Sequence, residues 1–139
     1  MVILPALARP KSTVGSPFNT DFRLPAGTIG AIFRLKITAS GGTTPTLDCK
    51  FQAYDDAAAE YFDILDTQTT REALSWPQQT GAATLTMLVY PYPLMGGTAE
   101  GATDTYRLIP IPSRLRFVAT YGADADETFT FSLGAITLR

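Results

Sequence analysis

Ala31-Ile32-Phe33-Arg34-Leu35-Lys36-Ile37-Thr38-Ala39 (residues 31–39) decides the class of this chain. Ala31, Phe33, Leu35, Ile37 and Ala39 share one parity, while Arg34, Lys36 and Thr38 share the other, with Ile32 the one apolar intruder. Successive side chains of a strand point to opposite faces, so this spacing predicts a strand with one buried and one wet face. Leu47, Cys49, Phe51 and Ala53 repeat the pattern against Asp48, Lys50 and Gln52. The connector Ser40-Gly41-Gly42-Thr43-Thr44-Pro45 is rich in turn residues and suits an antiparallel hairpin between the two.

Period two continues outward from there. Short strands are expected at 61–65, at 82–90 (Ala83, Leu85, Met87 and Val89 on one face) and at 106–111. Leu115, Phe117, Ala119 and Tyr121 define another, and Phe129, Phe131 and Leu133 the last. After Gly134 the apolar parity passes to Ile136 and Leu138, which predicts a bulge at the glycine. Helical signal is confined to one or two turns over 68–76, with Thr70 as cap and Pro77 as stop, and to a turn at Ala57-Ala58-Ala59. Seven or eight short strands joined by Pro, Gly and Thr connectors predict an all-β fold: an antiparallel β-sandwich of jelly-roll type. Arg34–Ala53 lies over Arg116–Ala135 without a gap, pairing Thr38 with Thr120 and Phe51 with Leu133. Two accounts fit: any two amphipathic hairpins with equal loops align this way, or the two occupy related places in the sandwich.

With 139 residues, 45% of them hydrophobic and 17% charged against a usual value of about 25%, the chain suffices for one domain, 1–139, with its own core. It has no histidine and one cysteine, Cys49, on the apolar parity of its strand. Those counts leave out histidine-based acid–base and nucleophilic systems and nearly every zinc, copper or haem site. A net charge of −2, spread along the chain, lacks the basic stripe of a nucleic-acid binder. No apolar run approaches the roughly 20 residues that span a bilayer, and Pro5 interrupts the stretch where a signal peptide would carry its apolar core.

The carboxylate groupings are Asp55-Asp56 and Asp124, Asp126 and Glu127. The second could supply half a calcium site but lacks the spaced ligand series of a calcium loop, and a solvated turn is favoured. Gly41-Gly42 and Gly96-Gly97 lack the lysine of a phosphate loop. No catalytic residue, metal ligand or cofactor site is therefore expected. Two segments suit interfaces instead. Tyr90-Pro91-Tyr92-Pro93-Leu94-Met95 places Tyr90, Tyr92, Leu94 and Met95 beside a polar loop, and Tyr and Met are enriched in interface cores. The apolar N-terminal arm, about residues 1–10, carries Val2, Ile3, Leu4 and Leu7 between prolines, and must dock on this chain or on a neighbour.

GGTTPTLDCKFQ (41–52), AEYFDI (59–64) and PIPSRLRFVATYGADADETFTFSLGA (110–135) together resemble a family of small structural proteins encoded beside capsid genes in tailed bacteriophages. The resemblance runs from about Ala8 to Leu138 and is weakest over 66–109. It implies a capsid decoration or cement protein on the outer shell of the virion, made in the host bacterial cytoplasm. Its implied partners are the major capsid protein and neighbouring copies of itself, with no nucleic acid, membrane or cofactor. On that reading, removing residues 1–10 is expected to weaken capsid attachment and leave the domain folded. Two other classes remain open: a carbohydrate- or host-surface-binding module using Tyr54, Tyr61, Trp76 and Tyr92, and a tail or head–tail connector subunit.

Overall fold

The structure, a computed structural model, describes residues 1–64, 74–91, 106–107 and 109–139. Its elements in chain order are β1 (Val2–Pro10), α1 (Lys11–Val14), β2 (Phe18–Arg23), β3 (Gly30–Gly41), β4 (Leu47–Asp55) and β5 (Glu60–Asp63). They continue with β6 (Ala83–Val89), β7 (Tyr106–Arg107), β8 (Arg114–Tyr121) and β9 (Thr128–Leu138). One sheet, A, has the order β1-β9-β3-β6-β7, and the other, B, the order β2-β8-β4-β5. Without the two-residue β7, which runs parallel to β6, eight antiparallel strands remain, arranged first-eighth-third-sixth against second-seventh-fourth-fifth. That is the strand order of a jelly roll, two interleaved Greek keys closed face to face.

The alternation in the sequence supplies the core. Phe33, Leu35, Phe129, Phe131 and Leu133 from sheet A meet Leu47, Phe51, Leu115 and Phe117 from sheet B, all essentially inaccessible. Phe33 and Phe51 lie 4.5 Å apart between ring centroids, and Phe51 also contacts Phe117 at 5.7 Å and Trp76 at 5.5 Å. Each such side chain contributes roughly 1.5–3 kcal/mol by leaving water, so this aromatic column is the main cohesive element. Cys49 is buried within it, and burial pushes its thiol well above the ordinary range. It acts as a small hydrophobe.

Several local expectations are corrected. β3 and β4 are not a hairpin: β3 pairs with β9 and β6 in sheet A, whereas β4 pairs with β8 and β5 in sheet B. β8 and β9 are likewise split between sheets. The connectors after β3 and β8 carry the chain across the sandwich from one sheet to the other. The matching segments 34–53 and 116–135 thus occupy related places: β3 pairs with β9 and β4 with β8, which exchanges the two sheets. Gly134 is not a bulge in the β3–β9 ladder, whose register runs on from Leu35↔Leu133 through Arg34↔Gly134 to Gly30↔Leu138. Parity therefore holds: Ala135 is buried and Ile136 is 65% exposed.

Of the strand expected over 106–111, Tyr106–Arg107 is strand, residues 109–111 are not, and residue 108 lies outside the described residues. Of the helical turn expected over 68–76, residues 68–73 lie outside the described residues. Leu74–Trp76 is not helical and runs along β4: Phe51 N–H donates to Leu74 O (2.8 Å) and Trp76 N–H to Cys49 O (3.1 Å). β1, β2 and the four-residue α1 were not expected as elements. β2 nonetheless alternates half-buried Phe18, Thr20 and Phe22 with exposed Asn19, Asp21 and Arg23.

Candidate interaction surfaces

Residues 2–10 lie on the body of their own chain as the edge strand of sheet A. β1 runs antiparallel to β9, with register shifts between Val2 and Leu4 and between Leu4 and Leu7. The shifts let Pro5 and Ala6 bow outward, which leaves carbonyls without a ladder partner. Arg9 satisfies them. Its guanidinium, on a residue only 5% exposed, donates to Pro5 O (2.8 Å), Leu7 O (3.0 Å) and Phe131 O (2.5 Å). It also lies over the Phe131 ring at 4.4 Å. Burial lowers the Arg9 pKa from its ordinary value, but those carbonyls and the ring face suit a cation. Tyr121 completes the anchor by donating its hydroxyl to Arg9 O (2.7 Å), and burial pushes its phenol up to about 12.

The expected interface residues of this segment therefore separate. Leu4 is core at 8% exposure and Ile3 is half-buried, whereas Val2 (77%) and Leu7 (56%) stand in solvent. With Leu4 and Arg9 both buried, residues 1–10 contribute side chains to the packed domain. Tyr90 is half-buried, its ring lying over Gly30, where an added Cβ would approach it to 2.7 Å. A glycine is needed there for the aromatic ring to pack on the backbone. Tyr92, Leu94 and Met95 lie outside the described residues.

The outer face of sheet A was not singled out by the sequence. Two open depressions of about 380 and 460 Å³ lie on it, and Arg34 and Gly134 line both. Val2, Pro5 and Ala6 wall one, and Met1, Ile32 and Ile136 the other. Gly134 faces outward opposite Arg34, so the middle of the sheet carries no side chain at that point. Arg34 and Lys36 are exposed, and neither side chain makes a hydrogen bond or ion pair among the described residues.

The outer face of sheet B differs. Arg114 lies 3.6 Å over the Tyr54 ring and donates through Nε to Tyr61 Oη (3.2 Å). Arg116 lies 3.9 Å over Tyr61 and holds Asp21 through two hydrogen bonds of 2.6 and 3.2 Å. The Arg116 hydrogen bond keeps the Asp21 carboxyl below the usual carboxylate range. At Asp63 burial works to raise the pKa, but hydrogen bonds from Lys50 and Gln52 outweigh it. Tyr54 and Tyr61 are thus brought together, 4.9 Å between centroids. Guanidinium groups already cover their rings, and Trp76 is in the core.

At one end of the sandwich the two sheet-crossing connectors bind each other. Glu127, 1% exposed, accepts from Thr46 N–H through Oε1 at 2.9 Å. Its Oε2 has no hydrogen bond among the described residues and faces Lys11 Nζ at 3.9 Å. Lys11 also donates to Gly122 O (2.5 Å) and Asp124 O (3.1 Å). A Cβ at Gly122 would lie 2.5 Å from Glu127 Oε1, so only glycine admits the carboxylate. Asp124 and Asp126 accept from Thr44 and Thr43 of the facing connector. The acidic cluster thus sits in a structural corner whose cation is a lysine. Among the described residues no group of His, Cys, Asp and Glu could hold a metal ion, and no helix is long and apolar enough to cross a membrane.

Comparison with protein-family models, with curated proteins and with solved structures finds no match for this chain.

Proposed function

We propose that this chain is a virion structural protein of a tailed bacteriophage, a decoration protein that binds the outer capsid shell and stabilises it. The observation that carries the reading is a set of exposed aliphatic side chains, Met1, Val2 and Ile136, around the two depressions on the outer face of sheet A. A cement protein acts by burying area across junctions between capsid subunits, and a standard interface removes roughly 800 Å² from each partner. A preformed surface binds without paying an ordering entropy, which suits that task. The resemblance over 41–52, 59–64 and 110–135 supplies the context, with the major capsid protein and adjacent copies of this chain as partners.

The reading gives the protein no catalytic step. The carbohydrate-binding alternative is weakened because Arg114 and Arg116 occupy the Tyr54 and Tyr61 faces on which a sugar would stack. The test is co-sedimentation of the purified chain with capsids stripped of it, followed by cryo-EM of the pelleted particles. Saturable binding with density on the outer shell supports decoration. Density on the tail or connector, or recovery of the protein in the supernatant, overturns it.

A further inference from the structure

We propose that the outer face of sheet A around Gly134 is a docking groove for an extended, carboxylate-bearing aliphatic segment of a partner protein. The inference deepens the reading above, on which it rests for the partner's identity. The chemistry of the groove stands apart from that reading.

Three observations carry it. First, the two depressions meet at Gly134, where the sheet lacks a side chain, and their walls are aliphatic: Val2, Pro5, Ile32 and Ile136. Second, Arg34 and Lys36 border this apolar floor as exposed cations with no partner among the described residues. A guanidinium and an ammonium beside desolvating aliphatic surface are matched by carboxylates, with Arg able to take one bidentately. Third, the floor runs along β3 from Ile32 to Lys36, five residues spanning about 13 Å of strand, and so fits a short extended segment. Side chains at i and i+2 of such a segment point to the same side and can fill the two depressions. Two cations among aliphatic walls are too few for the phosphate tracking of a nucleic acid.

The probe is a short blocked peptide with leucine at i and i+2 and aspartate at i+4, all on one side of an extended chain, titrated into the full isotopically labelled chain and followed by NMR, with lysine in place of the aspartate as control. Expected are amide shifts confined to β3, β9 and β1 around Arg34, Gly134 and Val2, with affinity that weakens as salt is raised. The Arg34→Glu/Lys36→Glu variant should bind about tenfold or more weakly. Arg34→Gln/Lys36→Gln, which removes charge without reversing it, should fall between, and an unchanged near-ultraviolet circular dichroism spectrum establishes that both are folded. Shifts elsewhere, no shifts, or equal binding of the lysine peptide overturn the groove. Co-sedimentation separates the two proposals. A groove that binds the acidic peptide in a chain that capsids do not retain sinks decoration alone. Capsid binding that is undiminished in the charge-reversal variant, with no peptide shifts, sinks the groove alone.

Discussion

The two outer faces of the sandwich are built from similar residues and use them differently. On sheet B, Arg114 and Arg116 stack on Tyr54 and Tyr61, Arg116 holds Asp21, and Lys50 reaches Asp63. Arg23, at the edge of β2, is the cation there that finds no such partner among the described residues. On sheet A, Arg34 and Lys36 project from the middle of β3 beside exposed Ile136 and Val2, with no acid on the strands around them. Arg114, Arg116 and Lys50 of sheet B are engaged within the fold, whereas Arg34 and Lys36 of sheet A are not. Buried Arg9 belongs to the first kind, and it sets the scale for breaking the contrast.

Arg9→Ala should have the largest effect. It removes the donor shared by the Pro5, Leu7 and Phe131 carbonyls and leaves the bowed part of β1 unsupported. The expected loss is about 3 kcal/mol, because buried acceptors stay behind without a partner. Thermal unfolding followed by circular dichroism should show the midpoint fall by roughly 10 °C. A variant within a degree or two of wild type would mean that β1 is held by its ladder alone. It would also reopen the view of residues 1–10 as a detachable arm.

How far these roles were legible depends on the range of the interaction. Parity named the buried residues of β3, β4, β8 and β9, from Phe33 and Leu35 to Phe129 and Phe131, because inside-versus-outside is a local property of a strand. Partner choice is not local. The Gly-Thr-Pro connector after Ser40 suits a tight hairpin and in fact crosses between sheets, to where β4 pairs with β8. Ile136 looked like a core residue after a register change, but β9 keeps its register with β3 to Leu138, so its side chain emerges into solvent. Arg9 sits in an apolar stretch, and nothing nearby in sequence announces that three carbonyls will converge on it. Among the candidate interface residues, Val2 and Leu7 are exposed as a surface requires, whereas Leu4 was claimed by the core.

Asp21→Asn tests sheet B at a smaller scale. Asp21 and Arg116 are both partly exposed, at 47% and 30% of their side chains, so solvent screens the pair. The expected loss at neutral pH is about 0.5 kcal/mol. Its pH dependence has a definite sign. Arg116 lowers the Asp21 carboxyl in the folded protein, so its contribution is fully present above the unfolded value of about 3.9 and is lost as pH falls through the lower folded value. Urea unfolding at a series of pH values should therefore show wild type and variant separated near pH 7 and converging in acid. A separation that persists unchanged below the folded value would remove the ion pair from the account.

Arg34→Ser/Lys36→Ser should have the smallest effect on stability, within about 0.5 kcal/mol of wild type at any pH, because neither cation makes an internal interaction that folding could lose. The measured quantity is again the urea midpoint, at low and at high salt. If the cations repel each other on one strand face, removing them raises stability slightly at low salt, and salt erases the gain. A loss of more than about 1 kcal/mol would mean that Arg34 and Lys36 are used within the fold, as Arg114 and Arg116 are on the other sheet. The contrast between the faces would then disappear, and the case for a partner at Gly134 with it. A null result in stability is thus the informative one, since charge that folding does not need and an apolar groove does not hide is available to a ligand.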